Sequence, residues 1–336
     1  MTFTRASRSI KLAAFALPLA LVAACSGGSS SADEVPTIRF GYIADFNGAY
    51  QLALAEELGL WDKHSVQVEP VVFTNGPLQV QAMQTDDLDL GSIGPGALWM
   101  ASTGQAKVVA INGLGVNDRV VALADSGIDE IQDLKGREIA VPEGTSGDMI
   151  LRVALAEAGM SRDDVEIVSM DPSTVVSSMT SGQIDAAAIW YPLLDTIEEA
   201  QPDLVEVASS VDFYPEYTFP GTIVARNDFA DEETEAISRF IRVLQDANDY
   251  REENFEETIT LTAEFLDVTE DNVRSNAENI KYPTTQELVE QSGDDTAANW
   301  LASLADLFKG MGQIDDALPV EDYYLPELWI EADEQR

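Results

Sequence analysis

The sequence predicts an α/β protein of two lobes facing each other across a cleft, each a sheet with helices on its faces. Three features of the sequence point there. Short β-rich runs alternate with amphipathic helical stretches, and that alternation implies a parallel sheet covered by helices. The pattern lapses near residue 123 and restarts. Long segments of 3.6-residue period then close the chain with little strand between them, so they need an existing sheet to pack on.

In order, the first unit reads Ile38 to Ile43 (strand), Ala49 to Leu58 (helix), Val66 to Val72 (strand), Gly76 to Met83 (helix), Leu88 to Ile93 (strand), Gly96 to Ser102 (helix) and Val108 to Ile111 (strand). Val120 to Leu123 leaves it. The second unit reads Ile128 to Leu134, Glu138 to Val141, Asp148 to Ala158, Val165 to Ser169, Thr174 to Ser181 and Ala186 to Trp190. After the β run Gly221 to Ala225, helices are expected over Glu232 to Tyr250, Phe255 to Leu266 and Ala297 to Lys309. The economical topology returns the chain to the first lobe and lays these helices on it. The expected division is therefore lobe 1 from residues 37–122 and 225–336, with lobe 2 from 123–224. Two crossings form a hinge, and the cleft outside the carboxyl ends of the strands is where open α/β sheets take ligands.

At the N-terminus, Arg5, Arg8 and Lys11 precede an apolar run from Leu12 to Ala24, which has the layout of a secretory signal over residues 1–24. The run is shorter than the roughly 20 residues a spanning helix needs. It stops at Cys25, the one cysteine of the chain, after Val22, Ala23 and Ala24. This tetrapeptide resembles a lipobox, so Cys25 is the expected lipidation site, and the small polar stretch after it makes residues 25–36 a flexible tether. The expected location is extracytoplasmic, anchored to the cell membrane by lipid.

Nineteen Lys plus Arg stand against sixty Asp plus Glu. Loss of the first 24 residues removes three of the basic groups and leaves a formal charge near −44. Nucleic acid and anionic lipid are poor partners for such a surface. The acidic residues are dispersed, as on a solvated face, which favours solubility over a dedicated cation site.

An ordered series of segments then narrows the reading. Gly136-Arg-Glu-Ile-Ala-Val-Pro142, the turn Gly144-Thr-Ser-Gly147, Ala154 to Gly159, Val165 to Val168, Ser181 to Asp185 and Ala188-Ile-Trp-Tyr-Pro192 resemble the nitrate, sulfonate and taurine import binding proteins, taurine-type members most of all. Ile38 to Tyr42, Asp89 to Gly94, Val224 to Phe229 and Tyr282 to Gln286 extend the likeness from Thr37 to Leu325. The resemblance implies a type II periplasmic-binding-protein fold that closes on a small solute. It also implies docking on an ABC permease with its ATPase. A monomer that is not an enzyme is expected.

For the solute, the candidates are loop residues after strands. Thr145, Ser146, Gly147 and Asp148 open a helix, where backbone N–H groups and hydroxyls suit an oxyanion without Lys or Arg. Thr and Ser are equally ordinary N-caps. Asp148 either recognises an ammonium group or pairs with Arg152 four residues on. In the first lobe Asp45, Phe46 and Asn47, and then Ser92, Gly94 and Pro95, follow strands. Asn117 precedes the first crossing. All of these also favour turns for conformational reasons. Trp190 and Tyr217 are the candidate aromatic walls. The leading expectation is taurine or another small sulfonate, with aspartates selecting an amino group. The alternative is a cationic amine or quaternary ammonium solute in an aromatic and acidic cage.

Other chemistries lack their residues. His64, the sole histidine, is expected to be solvated, which leaves no Ser-His-Asp triad and no His-based metal site. Gly91 to Gly96 lacks the Lys-Ser or Lys-Thr of a phosphate loop. No metal and no cofactor are expected.

Overall fold

Residues 35–336 are described by a computed structural model. The expected signal segment, Cys25 and all but the end of the expected tether lie outside the described residues. In chain order the elements are β1 (Thr37–Ile43), α1 (Phe46–Glu57), α2 (Leu60–Lys63), β2 (Gln67–Phe73), α3 (Gly76–Gln84), β3 (Leu90–Ile93), α4 (Leu98–Ser102) and β4 (Lys107–Gly115). Next come β5 (Asp118–Ala122), β6 (Glu138–Val141), α5 (Ser146–Glu157), β7 (Glu166–Ser169), α6 (Pro172–Thr180), β8 (Ala186–Trp190), α7 (Leu193–Ala200), β9 (Val205–Ser209) and β10 (Pro220–Ala225). Then follow α8 (Asn227–Glu232), α9 (Thr234–Glu253), α10 (Phe255–Leu266), α11 (Glu270–Glu278), β11 (Ile280–Lys281), α12 (Thr285–Gly293), α13 (Thr296–Gly310) and α14 (Pro326–Glu334).

One sheet has the order β11-β4-β10-β3-β1-β2, the other β7-β6-β8-β5-β9. β1 pairs in parallel with β2, Thr37 opposite Gln67, as expected of a strand–helix–strand unit. β5 and β10, however, run antiparallel to their neighbours β8, β3 and β4. Each of these strands enters its sheet directly from the other lobe, so it meets the strands already there head-on. Both sheets are therefore mixed and not purely parallel. The same pairing corrects the expected lobe limits: residues 118–122 belong to the second sheet and 220–224 to the first. The crossings are at residues 116–117 and in the stretch before Pro220.

Alternation fixes how β1 sits: Ile38, Phe40 and Tyr42 are buried on one face while Thr37 is exposed. Against that face lies α9, whose Phe240 ring is 5.0 Å from that of Phe40 and 6.4 Å from that of Trp61. Full burial of each such side chain stabilises by roughly 1.5–3 kcal/mol. The C-terminal helices thus cover the first lobe. His64 departs from expectation: it is 9 % exposed, with Nε2 against the Asp246 carboxylate of α9, because α2 docks on that helix.

Among the described residues no helix is long and apolar enough to cross a membrane, and no group of three His, Cys, Asp or Glu side chains could hold a metal ion.

Candidate functional site

Four strand-to-helix turns end at one cavity of about 60 Å³ between the sheets. Since a water needs roughly 10–15 Å³ measured this way, the space suits a solute of a handful of non-hydrogen atoms. Asp45 caps α1, its Oδ1 accepting from the Gly48 N–H at 2.8 Å. Asn75 caps α3, accepting from the Leu78 N–H at 3.1 Å. Gly94 and Pro95 lead into α4, and Thr145 is the N-cap of α5. The start of a helix carries unpaired N–H groups and a partial positive charge, so the N-termini of α1, α3 and α5 together favour an anionic group. Among the described residues no Lys or Arg lines the cavity.

Thr145 behaves differently from the expected oxyanion donor. Its hydroxyl donates to the Pro142 carbonyl at 2.6 Å and makes no cap bond, so toward a solute it has only lone pairs to offer. Any donation at this helix start comes from backbone N–H groups and from Ser146.

Negative charge enters from two buried carboxylates. Desolvation pushes Asp45, on the wall, up to about 7 against the pull of the Gly48 N–H. Asp118, at the first residue of β5, is wholly buried, and neither oxygen has a partner in hydrogen-bonding geometry. Desolvation likewise pushes it up to about 7, opposed by the neighbouring Ser146 hydroxyl and by Arg119. It lies beside Trp190 in the β5–β8 ladder.

Of the expected site residues, Asp45, Asn47, Ser92, Gly94, Pro95, Asn117, Thr145, Ser146 and Trp190 line the cavity. Four others do not. Phe46 is fully buried and stacks on Tyr50 at 4.9 Å. Gly147 packs on β8, where a Cβ would come within 2.7 Å of the Ala188 carbonyl oxygen. Asp148 is buried, accepting from the Gly144 N–H at 3.0 Å and from Arg152 Nε at 3.1 Å, so it pairs structurally and does not face a solute. Tyr217 stacks on Phe219 at 6.4 Å. Among the described residues Trp190 is thus the one aromatic side chain on the wall, where a cage would need several.

The turn Asn75-Gly76-Pro77 and the backbone at Gly113, Gly115 and Gly221 complete the wall without having been anticipated. An Asn cap followed by Gly-Pro after an apolar run was the available signal for the first. Asp118 could have been suspected as a carboxylate opening the apolar run Val120 to Leu123.

The lobes are shut on one another. A Cβ on Gly96 would stand 2.1 Å from the Thr145 carbonyl carbon and 2.2 Å from the Ser146 nitrogen, so only glycine allows this approach. Trp99 Nε1 reaches the Gly144 carbonyl at 3.4 Å. Asn276 joins the halves, accepting from the Asn47 N–H at 3.2 Å and donating to the Tyr191 carbonyl at 2.8 Å.

The model of the family described as NMT1/THI5 like matches residues 47–258. A Brucella abortus chain whose name says no more than binding protein is 49% identical over 298 residues, 89% of this chain and 92% of that one. The chain belongs to the NMT1/THI5-like family. Another relative of this NMT1/THI5-like chain, the taurine-binding periplasmic protein of Escherichia coli, is 28% identical over 52% of this chain and 54% of its own. The alkanesulfonate-binding protein of Xanthomonas axonopodis, solved with MOPS bound, superposes with a TM-score of 0.68 over 88% of this chain and 99% of its own, at 20% identity. That likeness shows the fold: this NMT1/THI5-like protein has the type II periplasmic-binding-protein architecture.

Proposed function

We propose that this chain is the extracytoplasmic solute-binding component of an ABC importer, lipid-anchored through Cys25, that carries taurine or another small sulfonate to a permease and its ATPase. The observation that carries the reading is the convergence of three helix N-termini on a small cavity with no Lys or Arg in its wall among the described residues. A tetrahedral anionic head with three oxygens suits several N–H groups arriving from different turns. Relatives named for taurine and for alkanesulfonates support the same class. Asp45 and Trp190, both on the wall, favour a cationic amine as a second reading.

A thermal-shift screen separates the readings, with taurine, alkanesulfonates, nitrate, amino acids, choline, betaines and polyamines as probes. A ligand at about a hundred times its Kd stabilises by roughly 2.7 kcal/mol, which moves Tm by a few degrees. Taurine or an alkanesulfonate is expected to respond. A response confined to cationic amines overturns the sulfonate reading, and turnover of any bound probe overturns the reading as a receptor.

A further inference from the structure

Asn47, at the second residue of α1, is a half-buried part of the cavity wall. This helix start has already spent two of its N–H groups, that of Gly48 on Asp45 and that of Asn47 on Asn276 Oδ1. The Asn47 side chain remains, and whether it meets a solute as donor or acceptor depends on which end of the amide faces the cavity. Asn112 sets that end. Its Nδ2 donates to the Asn47 carbonyl at 2.9 Å and to Asn47 Oδ1 at 3.2 Å. A backbone carbonyl only accepts, so the group that Asn112 turns toward it has to be the NH2, and the Asn47 atom beside that NH2 has to be the oxygen. The Asn47 NH2 is left on the other side, 3.5 Å from where a Cβ on Gly221 would stand, and Gly221 is itself a wall residue. Among the described residues this NH2 has no hydrogen-bond acceptor.

Ordinary strand pairing does not place Asn112. Gly221 pairs with Gly113 and Thr222 with Ile111, so Asn112 is the extra residue of a bulge in β4. A bulge re-aims the side chain it carries. Asn112 is 2 % exposed and its own Oδ1 has no partner, a cost that an apolar side chain at this place would avoid. We propose that Asn112 is a positioning residue for solute binding: from the β4 bulge it holds the Asn47 amide with its NH2 toward the cavity, which makes Asn47 the side-chain donor to the anionic head of the solute. This rests on reading the cavity as a site for an anionic solute. Asn112 is not among the wall residues, so it acts through Asn47.

The test is calorimetry on the purified protein with taurine, ethanesulfonate, propionate and nitrate, joined to NMR of the protein with its asparagines labelled in nitrogen. Asn112→Leu keeps the shape of the side chain and removes the donor. The tightest of these anions is expected to lose about tenfold or more in affinity, the range of one hydrogen bond to a charged group. In an Asn47→Ala background the same change is expected to cost less than about twofold, because the amide it would position is gone. An equal loss in both backgrounds marks a merely structural role and overturns the proposal. A cooperative melt checks the fold of each variant. In the unaltered protein the NH2 signals of Asn47, assigned by their loss in Asn47→Ala, are expected to move when that anion is added, a readout that holds even where Asn112→Leu fails to fold. Signals that stay in place overturn the proposal. If propionate or nitrate binds with these effects and neither sulfonate binds, the sulfonate reading falls while the role of Asn112 stands. If a sulfonate binds and Asn112→Leu leaves its affinity unchanged, the role of Asn112 falls and the sulfonate reading stands. Binding of none of the four anions overturns both.

Discussion

Asp118→Asn has a consequence for stability that needs no ligand. The carboxyl is wholly buried and its pKa is pushed up to about 7 by desolvation, whereas an unfolded aspartate titrates near 3.9. Between about pH 4 and 7 the folded chain keeps a proton that the unfolded chain has released. The stability contributed by that proton is fully present below the unfolded value and is lost as pH rises through the folded one. Three units of displacement correspond to about 4 kcal/mol at pH 8 and to about 1–2 kcal/mol at pH 5, so the expected difference between these conditions is roughly 2–3 kcal/mol. The assay is urea unfolding of both proteins at pH 5 and pH 8. The advantage of the variant over the parent should grow by that amount at the higher pH. Asp45 carries a similar shift and is present in both proteins, so it cancels. A gap between parent and variant that is the same at both values refutes the picture of an uncompensated buried carboxylate.

Other perturbations test separate parts of the structure. Gly96→Ala sets a methyl against the Thr145–Ser146 backbone at 2.1–2.2 Å, so the lobes cannot shut fully: affinity for the best solute is expected to fall tenfold or more by calorimetry, with Tm of the free protein changing little. Asp148→Asn leaves Arg152 and the Gly144 N–H with a neutral partner in a buried site. It should lower unfolding stability by about 3 kcal/mol in urea melts without altering the order of preference among solutes. Tyr50→Phe removes the hydroxyl that accepts from Arg251 at 2.7 Å and donates to Asn248 at 2.7 Å, and a loss of about 1–3 kcal/mol is expected in the same assay.

The strand and helix alternation was legible in the sequence because each element repeats its period several times, as the buried row Ile38, Phe40 and Tyr42 illustrates. The lobe limits were less so. β5 and β10 read as ordinary apolar strands, and no periodicity tells which sheet a strand joins after a crossing. Within the site, turn chemistry located Asp45, Asn47, Pro95 and Thr145, since the turns that follow strands face the cleft. It failed one or two residues further on. Helical residues rotate by about 100° each, so Phe46, Gly147 and Asp148 have swung from the cavity into the core although their neighbours line it. The role of the Thr145 hydroxyl was hidden for another reason: its acceptor, the Pro142 carbonyl, comes from the fold of the turn and has no signature in the residue types.

The order of the first sheet carries a consequence for how the chain acquires its shape. β10 is inserted between β3 and β4, so this sheet stays split until a strand more than a hundred residues downstream has been made. The second sheet draws all its strands from one uninterrupted stretch, β5 to β9. Its loops are short enough to close cheaply, whereas the first sheet must wait for distant partners. A folding chain can therefore assemble the half that bears Ser146 and Trp190 while the half that bears Asp45 is still open. The cavity comes into being last, when β10 slots home and brings the two walls together.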